Sequence, residues 1–134
     1  MITSIYASII GLFLIVLSMR VIALRGNPIF GFLKFQNDSD ISLERAIRGH
    51  GNLIEYSPIF LILFYLLETN NLNTTHLHII GIIYLIGRLM HGICFSFMTK
   101  NMFLRVVGTA ITLFSIGYLS ILTLIRLLCI EENL

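Results

Sequence analysis

Charged and amide side chains recur at helical spacing in residues 44–58, which read ERAIRGHGNLIEYSP. Arg48, Asn52 and Glu55 are four and three residues apart, so a helix would carry them on one face. A guanidinium can hold a carboxylate through two parallel hydrogen bonds, and a carboxylate such as Glu55 can hold an amine. This stripe therefore predicts a site for an anionic ligand that carries carboxylates and an amine.

A second stripe follows later in the chain, where Tyr84, Arg88, His91 and Phe95 are spaced by four, three and four residues. These four side chains also share one helix face. An arginine in the middle of a bilayer costs about 2.5 to 3.5 kcal/mol. The two stripes should therefore face each other, a neighbouring subunit or a polar cavity.

A simpler explanation is a buried ion pair between Glu55 and Arg88, because buried charges normally have partners. Such a pair would join the two helices and bind nothing. It would leave Arg48, Asn52 and His91 as a surplus of donors with few acids to satisfy them. The ligand site and the ion pair both stay open at this point.

The composition indicates the solvent that these stripes must face. The chain has 134 residues, of which 57% are hydrophobic and 12% are charged, about half of the usual charged fraction of about 25%. So little charge excludes a soluble domain and a disordered chain, and a net charge of +2 is too small for a nucleic-acid binder. The surrounding solvent is therefore expected to be a lipid bilayer.

Four apolar segments fit this length, because one helical span takes about 20 residues. The sequence predicts an all-α membrane protein, a single domain over residues 1–134 made of a four-transmembrane-helix bundle. Ser42, followed by Glu44, is typical of the start of the second helix. The spans are predicted at about residues 4–24, 46–67, 75–97 and 104–127.

Basic residues cluster on the connections expected at one membrane face. The rule that cytoplasmic loops carry an excess of Lys and Arg then places both termini on the non-cytoplasmic side. Only Arg126 lies near the opposite face. The residues that set this orientation are Arg25, Lys34, Arg45, Arg48, Lys100 and Arg105.

No metal site is predicted. Cys94 and Cys129 lack a CxxC motif or a histidine at ligand spacing. His50 points away from the stripe of Arg48, and His76 and His78 are expected to be interfacial or solvated.

The two stripes resemble the signatures of the MAPEG family, the membrane-associated proteins of eicosanoid and glutathione metabolism. Residues 44–58 fill every fixed position of its pattern E-R-x-x-R-x-x-x-N-x-x-E-Y-x-P, and GRLMH at residues 87–91 is similar to its helix-three pattern. The chain looks most like the small bacterial inner-membrane members. The resemblance implies a homotrimer that binds glutathione between subunits near the cytoplasmic face.

By position, the resemblance assigns the carboxylates and amine of glutathione to Arg48, Asn52, Glu55 and Tyr56. It assigns a further contact with the tripeptide to His91.

Three more roles come from the same resemblance. Arg25 matches a basic residue that closes the site from the adjacent chain, and His50 falls where some relatives have a Gln that reaches the neighbour's glutathione. Arg105 is the candidate for the arginine that stabilises the glutathione thiolate, since a nearby cation lowers the pKa of a thiol. Phe95 departs from the Tyr of several active relatives and so removes a hydroxyl.

The leading hypothesis is a glutathione-dependent membrane transferase or peroxidase that acts on apolar electrophiles from the bilayer. The alternative is a non-catalytic lipid-binding or scaffold member of the same family. A small transporter with Glu55 as proton carrier is a third class. Against it, Arg48 and Asn52 would have no role in such a transporter, and the sequence shows no inverted repeat.

Overall fold

The computed structural model describes residues 1–34, 39–98 and 101–131, which form four long α-helices and one short 3₁₀ turn at Gly31–Leu33. Each long helix is apolar enough to cross a membrane, which confirms the predicted all-α membrane fold. Lys100, used above for orientation, lies outside the described residues. The helices are α1 (Ile2–Leu24), α2 (Ser39–Thr69), α3 (Thr74–Phe97) and α4 (Met102–Glu131).

The start of α2 differs from the sequence prediction. The helix begins at Ser39, three residues before the predicted start at Ser42. The starts of α3 and α4 have side-chain caps: Asn73 Oδ1 accepts from the backbone N–H of Thr75 at 2.9 Å, and Asn101 Oδ1 accepts from that of Leu104 at 3.1 Å.

The helices run up and down, and α2 and α3 form the middle of the bundle. Each of these two contacts all the other helices, whereas the described parts of α1 and α4 do not touch each other. Most exposed large side chains are aliphatic, such as Leu12 and Ile121, as a lipid-facing surface requires. This arrangement brings the two polar stripes onto neighbouring helices.

The two ends of the bundle differ, and we name each after one residue. At the Glu68 end, α1 and α3 begin and α2 and α4 finish. There Glu68 accepts hydrogen bonds from the backbone N–H of Ile2 and Thr3 and from the Thr3 hydroxyl, so it caps the first turn of α1. At the opposite end, the Arg105 end, α2 and α4 begin.

Gly87 and Gly108 allow α3 and α4 to approach closely. A Cβ on Gly108 would lie 2.8 Å from the Gly87 carbonyl oxygen and 3.0 Å from the His91 nitrogen. Both are backbone atoms, which cannot rotate away as a side chain can. The close approach fixes His91 beside α4.

Gly108→Ala is therefore expected to destabilise the fold by about 1 to 3 kcal/mol, because it overpacks this contact. Thermal unfolding in detergent measures the effect. Gly117→Ala is the matched control: it lies on the same helix with open space around it, and alanine there should stabilise by about 0.5 to 1 kcal/mol. Equal shifts for the two variants would contradict the contact.

Candidate functional site

The stripe on α2 lies at the surface of the single chain, not in its core. Arg48 and Glu55 are exposed, and Asn52 and Tyr56 are half-buried. Arg48 Nη2 donates to Glu44 Oε1 at 2.7 Å. A charge that faces lipid costs about 2.5 to 3.5 kcal/mol near the bilayer centre. Arg48 has Glu44 as a polar partner within the chain, whereas the exposed Glu55 has none among the described residues and therefore favours a polar partner outside the chain.

Arg88 lies between α2 and α3 with 1% of its surface exposed. Its Nη1 donates to the Asn52 backbone oxygen at 3.1 Å and to Asn52 Oδ1 at 2.9 Å. Its guanidinium carbon lies 5.5 Å from the ring centroid of Tyr56 and 6.0 Å from that of Tyr84, within cation–π range. Its Nε and Nη2 have no hydrogen-bond partner among the described residues.

The alternative of a Glu55–Arg88 ion pair is not what the structure contains. No ion pair joins these two side chains within the described part of the chain. Glu55 lies on the exposed face of α2, whereas Arg88 lies in the interface and binds Asn52. The spacing of both stripes is helical, but spacing alone could not show which member of one stripe faces which member of the other.

The contact with Arg88 also fixes what Asn52 can offer a ligand. Because Asn52 Oδ1 accepts from Arg88, the Asn52 amide nitrogen is left as a donor. Arg48, beside it on the stripe, is a donor as well. The Arg48–Asn52 part of the stripe is thus suited to an acceptor such as a carboxylate, and Glu55 is suited to a cation.

At the Arg105 end, the stripe on α3 meets two guanidinium groups. His91 is 5% exposed, and its ring stacks on that of Phe95 with centroids 4.7 Å apart. The guanidinium carbons of Arg45 and Arg105 lie 5.7 Å and 5.6 Å from the Phe95 centroid. Phe95 therefore lies within cation–π range of both arginines.

Two cavities border Arg105. The first measures about 470 Å³ and is also lined by Arg45, Cys94 and Phe95, so it is basic. The second, of about 370 Å³, is an open groove along one face of α4 alone, from Arg105 to Leu113, among largely apolar side chains. Arg105 itself is exposed. A cation therefore stands where a basic cavity and an apolar groove adjoin.

His50 and Arg25 lie apart from this stripe. His50 faces α1, where its Nε2 lies 3.0 Å from Ser18 Oγ. Arg25 is exposed and ends α1 at the Arg105 end. Within one chain the structure does not bring either residue to the α2 stripe.

Sequence reasoning missed the structural roles of two arginines. Arg20 is 1% exposed, and its Nε donates to the Ser96 oxygen at 2.9 Å. Arg45 Nη2 donates to the carbonyls of Cys94 at 2.9 Å and Met98 at 2.7 Å, so it satisfies the end of α3. The sequence could have indicated that Arg20 is buried, because its neighbours are apolar. Arg25, in contrast, precedes a polar turn.

Comparison with known proteins identifies the family of the chain. The sequence model of the MAPEG family matches residues 3–125. The chain belongs to the MAPEG family. The family match includes all of α3, the α2 stripe and Arg105, so it covers every residue that the resemblance singled out.

Two curated relatives of this MAPEG chain carry the same name, inner membrane protein YecN. The protein from Escherichia coli strain K12 is 39% identical over 92 residues, which are 68% of this chain and 67% of that protein. The protein from Escherichia coli O6:H1 has the same identity and coverage. No solved structure matches the chain.

Proposed function

We propose that the chain is a glutathione-dependent membrane transferase or peroxidase that acts on apolar electrophiles. In this proposal it is an integral inner-membrane protein with both termini on the non-cytoplasmic side. Glutathione lies between subunits of a homotrimer near the cytoplasmic face. Membership of the MAPEG family supports the glutathione chemistry, and the name of the YecN relatives supports the inner-membrane location.

The observation that carries the proposal is the exposed pair of opposite charges on α2. Arg48, which also binds the exposed Glu44, and Glu55 stand on a surface that is otherwise largely aliphatic, separated along the helix by roughly 10 Å. A zwitterionic peptide with carboxylates and an amine would satisfy both, while Asn52 donates between them. A second copy of the chain would cover this face, and Arg25 and His50 are proposed to contribute from it.

Arg105 is proposed to stabilise the glutathione thiolate, which is the nucleophile. In the transferase reaction the thiolate sulfur would attack an electrophilic carbon of a molecule that enters from the bilayer, and the bond from that carbon to its leaving group would break as the carbon–sulfur bond forms. In the peroxidase reaction the sulfur would attack a hydroperoxide oxygen, the O–O bond would break to release an alcohol, and a second glutathione would release water and glutathione disulfide. The apolar groove along α4 beside Arg105 supplies a route for such a molecule. Tyr56 and His91 would complete the contacts with the tripeptide.

One observation favours a second candidate, a non-catalytic lipid-binding or scaffold protein. Phe95 brings no hydroxyl to the His91 stack, and the guanidinium groups of both Arg45 and Arg105 lie near its ring. If Arg105 stays on that ring, the chain can hold glutathione without activating it.

Calorimetric titration of the detergent-purified chain with glutathione tests the proposal. Saturable binding is expected, and Arg48→Ala should weaken it by about 10-fold or more, because charged hydrogen bonds contribute about 1.5 to 3 kcal/mol. Ile62→Ala is the control, since Ile62 is an exposed aliphatic residue on the same helix. No saturable binding by the wild type would overturn the proposal.

A further inference from the structure

A separate cavity lies at the Glu68 end of the bundle, between α3 and α4. It measures about 200 Å³. Tyr118 on its border and Arg105 are separated along α4 by roughly 20 Å, so the cavity does not belong to the glutathione site proposed above. Its apolar walls are Ile79, Ile80, Ile83 and Phe114.

The polar end of the cavity is a hydrogen-bonded pair of side chains. Tyr118 Oη lies 2.8 Å from His76 Nε2, and both residues line the cavity. A neutral tyrosine and a neutral histidine carry two polar protons between them, and one proton is used in their mutual hydrogen bond. The other remains on Nδ1 of His76 or on Oη of Tyr118. The pair can therefore donate one hydrogen bond to a ligand oxygen.

The remaining polar group adds no charge. Ser115 is 2% exposed and its hydroxyl donates to the Ile111 carbonyl at 2.8 Å, so towards the cavity it can only accept. No Lys, Arg, Asp or Glu lines this cavity among the described residues. A ligand with a full charge would have no counter-charge here, which favours a neutral molecule.

The size and the opening of the cavity restrict the ligand further. An apolar protein cavity of about 150 Å³ holds one benzene molecule, so 200 Å³ has room for one substituted six-membered ring. Ile79 is 52% exposed and Phe114 is 73% exposed, which leaves the cavity open on the face where lipid is expected. A hydrocarbon tail attached to the ring could leave through this opening.

We infer that this cavity binds the ring of a neutral, carbonyl-bearing, lipid-soluble compound of the quinone class. One carbonyl oxygen accepts the hydrogen bond from the Tyr118–His76 pair. The ring lies between α3 and α4 against Phe114, in the offset or edge contact that aromatic rings favour. The tail extends into the bilayer.

Calorimetric titration of the full chain in lipid nanodiscs compares two probes, decyl-benzoquinone and decylbenzene. The quinone is expected to bind saturably and at least about fivefold more tightly than decylbenzene, because only the quinone accepts a hydrogen bond. The double variant His76→Phe/Tyr118→Phe keeps an aromatic ring at both positions and removes both donors, so it should lose this preference. Its glutathione binding should be unchanged.

Occupation of the cavity is tested by a matched pair of tryptophans. Ile79→Trp places a large ring on the cavity wall and should weaken quinone binding at least tenfold, whereas Ile82→Trp, which is equally exposed but does not line the cavity, should not. The inference is overturned by the absence of saturable quinone binding. It is also overturned by equal affinity for decylbenzene in the wild type, which would indicate a site for lipid tails, or by equal effects of the two tryptophans.

Discussion

Replacing Arg105 with alanine is expected to lower glutathione-dependent turnover about 100-fold or more, the effect of removing one group that stabilises a reacting anion. Arg105 is exposed between the basic cavity and the apolar groove. Without it, the bound thiol loses the cation that favours its thiolate. Ultraviolet absorbance measures the amount of bound thiolate, and the rate of conjugation with an apolar electrophile measures the turnover.

The control is Arg105→Lys, which keeps the positive charge and should retain most of the thiolate signal. Glutathione affinity should change little in either variant, because Arg48, Asn52 and Glu55 remain. A thiolate signal that persists in Arg105→Ala would contradict the role of Arg105. A wild type that binds glutathione and forms no thiolate would favour the scaffold function.

Glu55→Gln is expected to weaken glutathione binding by about 10- to 100-fold, since a hydrogen bond to a charged group contributes about 1.5 to 3 kcal/mol. The fold should be unaffected, because Glu55 is exposed and forms no hydrogen bond or ion pair among the described residues. Calorimetric titration measures the affinity for glutathione. Thermal unfolding measures the stability of the fold, and the mass in detergent shows whether the assembly is intact.

Glu44→Gln removes the same charge from the same helix and serves as the control. Glu44 holds Arg48 at 2.7 Å, where it competes with any carboxylate of a ligand. Its loss should therefore leave the affinity unchanged or raise it. If Glu55→Gln instead unfolds the chain or dissociates the assembly, Glu55 has a structural role.

The spans could be predicted because lipid imposes a simple rule on sequence. A helix that crosses a bilayer needs about 20 apolar residues and satisfies its own backbone groups. Hydropathy along the chain therefore indicates the number of spans, without knowledge of their contacts. The start of α2 was less predictable: the helix begins three residues before Ser42, the serine that the sequence pattern favoured.

The candidate site was predictable in part for a related reason. In a chain with 12% charged residues, a charge inside a span needs a specific explanation, and helical spacing puts Arg48, Asn52 and Glu55 on one face. The partner of Arg88 could not be predicted in this way. It depends on the rotation of α2 against α3, which turned Asn52 inward and Glu55 outward.

The sequence by itself determined the solvent, the four helices and the membership of each polar stripe, because these follow from composition and from the period of one helix. Only the tertiary structure decided that Asn52 holds Arg88, that Arg105 shares a basic cavity with Arg45 and Phe95, and that His76 meets Tyr118 across α3 and α4. Those contacts join residues far apart in the chain. They depend on how closely the helices approach, which at Gly87 and Gly108 is set by the absence of side chains.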